Sequence, residues 1–471
     1  MFHVKHAVNN FLTEVVNNMT DYISEEQIAM YLEHRKPDKK HYADVLSKAA
    51  EGKGLLIEET AVLLSPPDEE TKHLLFNTAG KVKQQIYGTR IVLFAPLYLS
   101  NYCGNNCLYC GFRKDNKIIK RRKLNKEEAL EEVKLLEKQG HKRLLLVTGE
   151  ASGSGVEYLA DLIGDIYALT DIRRVNINVA PLTVDEFRMV KEAGIGTYQL
   201  FQETYHQPSY KYYHPSGKKS DYQWRISAFD RAMEAGIDDI GMGVLFGLYN
   251  YKFEVLALCQ HAEYLERKFG VGPHTVSVPR LKRAPGAEIQ TTPWMVDDEE
   301  LKIIVAVLRL ALPYTGIILS TRESQQLRNE LLGLGVSQIS AGSSTSPGGY
   351  SSSGDNNVQF EVHDTRSLDE VVASLCKDGY IPSFCTACYR RHRTGEAFMS
   401  LAKVGDIKEL CLPNALLTFK ENLLDYASQE TKKLGENLIG KELCLLKNEA
   451  LVNELKSRFE RMNRGERDLY F

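Results

Sequence analysis

Between residues 90 and 380, apolar runs alternate with amphipathic stretches eight times. The runs at 91–99, 143–148, 175–179, 197–202, 237–246, 274–278, 316–320 and 337–340 are rich in aliphatic and β-branched residues and predict strands. Between them, apolar positions recur at helical spacing, as in 126–139, 184–193, 221–235, 253–269, 298–311 and 367–377. Gly140, Gly194, Gly236 and Gly270 follow such stretches and suit left-handed helix ends. Eight strand-then-helix units predict an α/β fold, a (β/α)8 barrel, with an open doubly wound sheet as the alternative. Both arrangements gather chemistry at the carboxyl ends of the strands.

The polar residues follow that rule. Three cysteines come after the first strand and Thr148-Gly149-Glu150 after the second. Asn176, Asn178 and Pro181 lie on or after the third, and Gln202-Glu203-Thr204-Tyr205 ends the fourth. His274 opens the sixth, with Ser277 and Arg280 beyond it. Ser320-Thr321-Arg322-Glu323 ends the seventh and Ser340-Ala341-Gly342-Ser343 the eighth. Such groups cost desolvation in a plain core and suit a barrel mouth around a polar ligand. Residues 1–88 predict short helices, with a capping box at Ser24-Glu25-Glu26-Gln27 and a helix opened by Asp68-Glu69-Glu70. Residues 89–380 form the barrel, and 343–357, rich in Ser and Gly, form a lid or a mobile loop. Residues 381–471 are a C-terminal segment with its own cysteines, and 432–460 is charged and helical.

Composition narrows the class. A chain of 471 residues buries a large core, and a net charge of -3 gives no reason to expect nucleic acid or an anionic membrane as partner. The most apolar stretch, 301–312, is too short to span a bilayer and is broken by Arg309. Six of nine cysteines fall in two tight sets, which reads as metal ligation in a reducing cytoplasm. Cys259, Cys376 and Cys444 sit on amphipathic stretches and read as buried apolar residues.

Cys103, Cys107 and Cys110 form C-x3-C-x2-C directly after a strand. Three thiolates on a 4Fe-4S cluster leave one iron open to an outside amine and carboxylate. A zinc knot would need a fourth ligand, and no Cys or His follows within thirty residues. The second set, Cys385, Cys388 and Cys411, is C-x2-C-x22-C. Its spacing alone suits zinc, closed by His392 or another Cys, as well as a second cluster. Arg390, Arg391 and Arg393 beside it would offset thiolate charge or form a solvated turn.

With Tyr109 before its last cysteine, the first array resembles the signature of the radical S-adenosylmethionine superfamily. Together with Gln202–Tyr205 and the C-terminal cysteines, it makes the chain similar over nearly its whole length to the tyrosine lyases of FeFe-hydrogenase maturation. The thiamine-pathway tyrosine lyases (2-iminoacetate synthases) share the barrel and first triad but lack the full C-terminal motif. The resemblance implies a radical SAM lyase that splits the Cα–Cβ bond of L-tyrosine into p-cresol and dehydroglycine. It further implies conversion of dehydroglycine to carbon monoxide and cyanide at a second 4Fe-4S cluster carrying an additional iron, to build an iron carbonyl–cyanide unit. Implied partners are other maturation proteins, free L-cysteine and an electron donor such as ferredoxin or flavodoxin.

Roles follow on that basis. Cys103, Cys107 and Cys110 hold the first cluster; Cys385, Cys388 and Cys411 hold the second. Gly149 and Glu150 stand where the superfamily's Gly-Gly-Glu motif meets the S-adenosylmethionine ammonium, with Thr148 replacing the first Gly. Tyr109, Glu203 and Tyr205 are further candidates for contact with S-adenosylmethionine or the phenol. Tyrosine's carboxylate needs a guanidinium, for which Arg322 is the first candidate, aided by the Ser340 hydroxyl, with Arg280 as fallback. An Arg322–Glu323 ion pair is the structural alternative. The extra iron needs a nitrogen ligand, for which the resemblance points to His274. Two competing readings are a 2-iminoacetate synthase with a structural zinc, and a non-catalytic iron–sulfur carrier or scaffold.

Overall fold

The computed structural model describes residues 22–33, 37–151, 155–352, 357–391, 393–404 and 407–471. Eight parallel strands, β1 (Arg90–Ser100), β2 (Arg143–Thr148), β3 (Arg174–Asn178), β4 (Tyr198–Glu203), β5 (Ile240–Val244), β6 (Thr275–Ser277), β7 (Gly316–Leu319) and β8 (Val336–Ser340), pair in chain order. β1 bonds to both β2 and β8, so the sheet is closed and the open-sheet alternative falls away. Alternation along each strand divides the barrel into two faces. Phe94, Leu145, Gln199, Ser277, Ile318 and Ser340 line an internal cavity. Their neighbours Leu93, Leu146, Leu200, Val276, Ile317 and Ile339 pack outward into the core under the helices.

The helices start where their caps dictate. Asn125, Thr183, Asp297 and Ser367 each accept a backbone N–H of the first turn, with a glutamate three positions on returning the bond. The helix expected over 221–235 is broken at Ser227 into Tyr222–Ile226 and Ala228–Glu234. The Ser227 hydroxyl donates to the Gln223 carbonyl four residues back, an alternative to the helical ladder.

Before the barrel, helices Glu25–Glu33, Lys39–Ala49, Ile57–Leu63 and Glu69–Tyr87 form a cap. The last packs along helix Asp298–Ala311. After the barrel come helices Gly395–Val404, Ile407–Asp425, Gln429–Leu445 and Glu449–Asn463. Cys444, expected to be buried, is exposed in the last turn of its helix beside exposed Leu445. No helix among the described residues is long and apolar enough to cross a membrane.

A short ninth strand, β9 (Ile381–Ser383), was not anticipated. It pairs with Arg90–Val92 at the start of β1. Val92 also bonds to β8, so β9 occupies the β1 edge that β2 takes up from Ala95 onward. The chain after β9 therefore enters beneath β2, at the amino end of the barrel, opposite the mouth.

Candidate functional site

At the barrel mouth, the loop after β1 carries Cys103, Cys107 and Cys110, all lining the internal cavity. Its backbone is tied to neighbouring loops by Gly104 N–H to Glu150 O (2.8 Å) and Leu108 N–H to Tyr213 O (3.1 Å). A Cβ on Gly149 would lie 2.2 Å from the Tyr102 carbonyl, so only glycine lets the two strand ends approach this closely. Burial pushes all three thiols up, Cys110 to about 11. Bound iron would supply the positive charge that their thiolates need. Among the described residues, no three His, Cys, Asp or Glu donors close on a single ion. In a cluster each thiolate serves a different iron, so the triad suits a cluster bridging the cavity.

Around the triad lies a buried charge network. Arg225 donates to Glu150 at 2.9 Å, and its other nitrogen is 3.5 Å from Glu203. Lys219 pairs with Glu203, and Asn105 holds the second Glu150 oxygen. Burial opposes ionisation of Glu150, yet Arg225 and Lys219 hold its carboxyl below its ordinary value. Glu203 has φ 72°, a left-handed conformation at a register shift in β4. Such backbone costs about 1 kcal/mol or more, and here it turns a carboxylate into the cavity. Tyr109 also lines the cavity, its hydroxyl 2.8 Å from His214 Nε2. Tyr205 does not: its hydroxyl bonds to His261 Nδ1 at 2.9 Å within the outer core. Sequence pattern gave no sign of Lys219, just before the predicted helix, or of Arg225, which sits on its first turns as one more charged helical position.

Across the cavity, Arg322 and Ser340 come together. The Arg322 guanidinium stacks 3.4 Å over the Phe360 ring. Among the described residues no carboxylate pairs with it, and burial lowers its pKa. Glu323 is engaged instead by Arg280 and Lys282. Arg280 also bonds to Asp298, which commits it to a structural cluster outside the cavity lining. Phe360 and Gln359, just beyond the Ser-rich loop, were missed. Gln359 reaches Cys110 Sγ (4.0 Å) and Tyr98 Oη (2.8 Å), and residues 353–356 of that loop lie outside the described residues.

The second cysteine set lies at the other end of the barrel. Arg143, the first residue of β2, donates to Cys385 O at 2.9 Å. Cys388 and Cys411 are free thiols, and the Cys388 thiol hydrogen-bonds to Cys411 sulfur, which lowers the pKa of Cys411 and raises that of Cys388. Half-buried Arg90 faces all three thiols, whose charge raises its pKa although desolvation opposes it. The Nε atoms of Arg90, Arg143 and Arg393 are buried with no hydrogen-bond partner among the described residues. Orphaned cationic donors beside three thiols fit an anionic thiolate-bound centre. His274 stands at this lower end, its ring 4.0 Å from and tilted against that of Phe398, with Nδ1 3.8 Å from Asp239. Asp239 is 1% exposed and neither carboxylate oxygen has a hydrogen-bond partner among the described residues. His392 lies outside the described residues.

Residues 97–260 match the radical SAM superfamily, and residues 277–381 match the biotin and thiamin synthesis associated domain. A crystal structure of HydG, a maturase of the [FeFe]-hydrogenase, superposes with TM-score 0.92 at 51% identity, covering 96% of this chain and 100% of that one. HydG from Carboxydothermus hydrogenoformans gives 0.83 at 44% identity, covering 92% and 97%. The 2-iminoacetate synthase of Escherichia coli K12 is 34% identical over 346 residues, 73% of this chain and 90% of that protein.

Proposed function

From the premise that this chain belongs to the radical SAM superfamily, in the family of the maturase HydG and of 2-iminoacetate synthase, we propose that it splits L-tyrosine and passes the glycine-derived fragment to a second metal centre. When bound, a reduced cluster and S-adenosylmethionine would supply a carbon radical that takes hydrogen from the tyrosine amine; the Cα–Cβ bond then breaks to dehydroglycine and a hydroxybenzyl radical, which one electron from the external donor and one proton complete to p-cresol. Cys385, Cys388 and Cys411 would hold a second cluster with an additional iron, which would supply the chemistry for breaking dehydroglycine into carbon monoxide, cyanide and water, the first two for an iron carbonyl–cyanide unit.

The chain's own residues have the following parts. Cys103, Cys107 and Cys110 hold the first cluster at the mouth. Glu150, kept ionised by Arg225 and Lys219, accepts the ammonium of S-adenosylmethionine, and Gly149 gives its backbone access. Arg322 takes the tyrosine carboxylate with two parallel N–H bonds, and Ser340 adds a hydroxyl. The Phe360 ring under the guanidinium keeps it planar to the cavity and excludes water from one face. Cys385, Cys388 and Cys411 hold the second centre, and His274 offers an imidazole nitrogen to the extra iron. Other maturation proteins, free L-cysteine and a ferredoxin- or flavodoxin-type donor complete the cycle.

One observation carries the reading: a single barrel has a thiol triad at each end, the upper one sharing its cavity with an arginine that no described carboxylate pairs. The likeness to 2-iminoacetate synthase spans 73% of the chain, whereas the HydG structure covers 96% of it. That favours two centres over tyrosine cleavage alone. The test is anaerobic incubation with tyrosine, S-adenosylmethionine and dithionite, assaying p-cresol and carbon monoxide together, alongside metal analysis. Both products, with about nine irons and no zinc, are expected. p-Cresol alone, with about four irons and one zinc, would replace this reading with that of a plain tyrosine lyase.

A further inference from the structure

The mechanism leaves one feature of the barrel mouth unused. Residues 113–123 hold seven Lys or Arg and one Asp, and 211–219 hold three Lys and no acid, in a chain whose net charge is -3. Both segments are bonded to the cysteine loop itself. On one side, Lys114 N–H donates to Asn105 O (2.8 Å) and Asn116 Nδ2 to Gly111 O (2.7 Å). Arg121 clamps that side through the carbonyls of Asn101 and Phe112 (2.6 and 2.8 Å). On the other side, Asn106 N–H donates to Ser216 O (3.2 Å) and Lys219 N–H to Asn105 Oδ1 (2.9 Å). A Cβ on Gly217 would meet Asn105 Oδ1 at 2.2 Å, so the second segment lies flush on the loop.

Several of these cations have structural work. Arg113 pairs with Glu288, Arg122 with Glu128 and Lys219 with Glu203. Lys114, Lys117, Lys120, Lys211 and Lys218 remain exposed, and none forms an ion pair among the described residues. Between them stand apolar side chains turned to solvent: Ile118 is 76% exposed, Tyr212 61% and Tyr102 47%. A lysine ring around a small apolar centre is the build of a transient interface, in which charge steers the encounter and little area is buried. It lies where the cysteine loop is nearest the surface: Gly104 and Tyr102 are exposed while Cys107 is buried.

We propose that this ring is the docking surface for a small acidic one-electron carrier protein, of the iron–sulfur or flavin class. The inference rests on the reading of the first triad as a redox cluster. The carrier gives up one electron and the cluster takes it; no bond or proton changes hands in the docking step. Overlap with the loop that bears the ligands keeps the transfer distance short, and lysines at the rim favour an acidic partner over other surfaces of the chain.

The test uses the cluster-loaded full chain, with Lys117→Glu, Lys120→Glu and Lys211→Glu singly and together, and Lys433→Glu as a distant control. An acidic flavodoxin and an acidic ferredoxin serve as probes. Binding is titrated at low and at 0.3 M salt, and 5'-deoxyadenosine release is driven by reduced carrier or by dithionite. Expected for the triple variant are carrier binding and carrier-driven release weakened at least tenfold, with dithionite-driven release within twofold of the parent. Wild-type binding should also weaken with salt. Unchanged carrier binding in the triple variant, salt-independent wild-type binding, or tighter lysine-dependent capture of a short duplex oligonucleotide would each overturn the proposal. Lysine-dependent release of 5'-deoxyadenosine without p-cresol would remove tyrosine as substrate and leave the docking surface standing.

Discussion

In the proposed reaction, Arg322 is the residue that takes the substrate's carboxylate. Its neighbour Glu323 is saturated by Arg280 and Lys282, so nothing among the described residues competes for its fork. Lysine keeps the charge but loses the paired geometry, a difference of about 1–2 kcal/mol. Arg322→Lys is expected to raise the tyrosine KM about tenfold while tyrosine-free cleavage of S-adenosylmethionine stays near the parent rate. An unchanged KM would move the carboxylate elsewhere. Glu254 gives a second prediction of a different kind. It is buried, accepts the Tyr205 N–H (2.9 Å) and the Thr204 hydroxyl, and burial pushes its carboxyl up to about 8. The folded chain thus holds a proton that the unfolded chain releases near 4.5. Stability from this group is present in full below that pH and is lost as pH rises through about 8. Glu254→Gln removes the titration and keeps one acceptor oxygen for the Tyr205 N–H, while the Thr204 hydroxyl can turn to accept from the amide. Its Tm relative to the parent should climb between pH 5 and pH 8, and a difference that stays flat with pH would refute the assignment.

At the scale of elements, the segment after β4 matters most, since it delivers Lys219 and Arg225 to the cavity and abuts the cysteine loop. Gly217 is its contact point, with φ 93° and no room for a Cβ beside Asn105. Gly217→Ala should push this segment off the loop: iron at the first site and 5'-deoxyadenosine release are expected to fall several-fold, with Tm lowered by only a few degrees. Full iron loading would show that the contact is dispensable. Element scale is also where the sequence was most and least informative. The strand run at 143–148 and the helix at 298–311 match their observed bounds, because buried parallel strands and capped amphipathic helices write themselves into local pattern. The first thiol triad was legible from its tight local spacing, whereas spacing alone left the second, with Cys411 far downstream, open between zinc and a cluster. Arg225 was not legible, because its partners Glu150 and Glu203 are remote in sequence and only barrel closure unites them. β9 escaped because three residues, Ile-Pro-Ser, carry no periodicity; their pairing with β1 is a tertiary fact. Tyr205 was drawn into the site by its position at a strand end, but the left-handed turn at Glu203 redirects the chain toward the outer core.

The whole molecule poses a transport problem: the two thiol sets lie at opposite ends of one barrel. Barrels of this kind are ordinarily filled by bulky branched side chains. Here the layer below the cavity is built differently. Gly241 faces Gln199 and Thr275, and Gly316 faces Gln338, each too close to admit a Cβ without displacement. The residues that replace apolar filling are amides and hydroxyls, and Thr275 Oγ1 has no partner among the described residues. Unpaired polar groups in a sealed interior cost about 1–3 kcal/mol each. They suit an interior crossed by a small polar fragment that can hydrogen-bond in passing. If dehydroglycine takes this route, Thr275→Val with Gln338→Met should leave p-cresol formation within twofold of the parent. Carbon monoxide should fall at least fivefold, and glyoxylate, the hydrolysis product of the escaped fragment, should rise to match. The two substitutions conserve volume, so equal Tm and equal iron content are the controls. Undiminished carbon monoxide in that variant would mean that the fragment leaves by the mouth and reaches the lower centre through solvent.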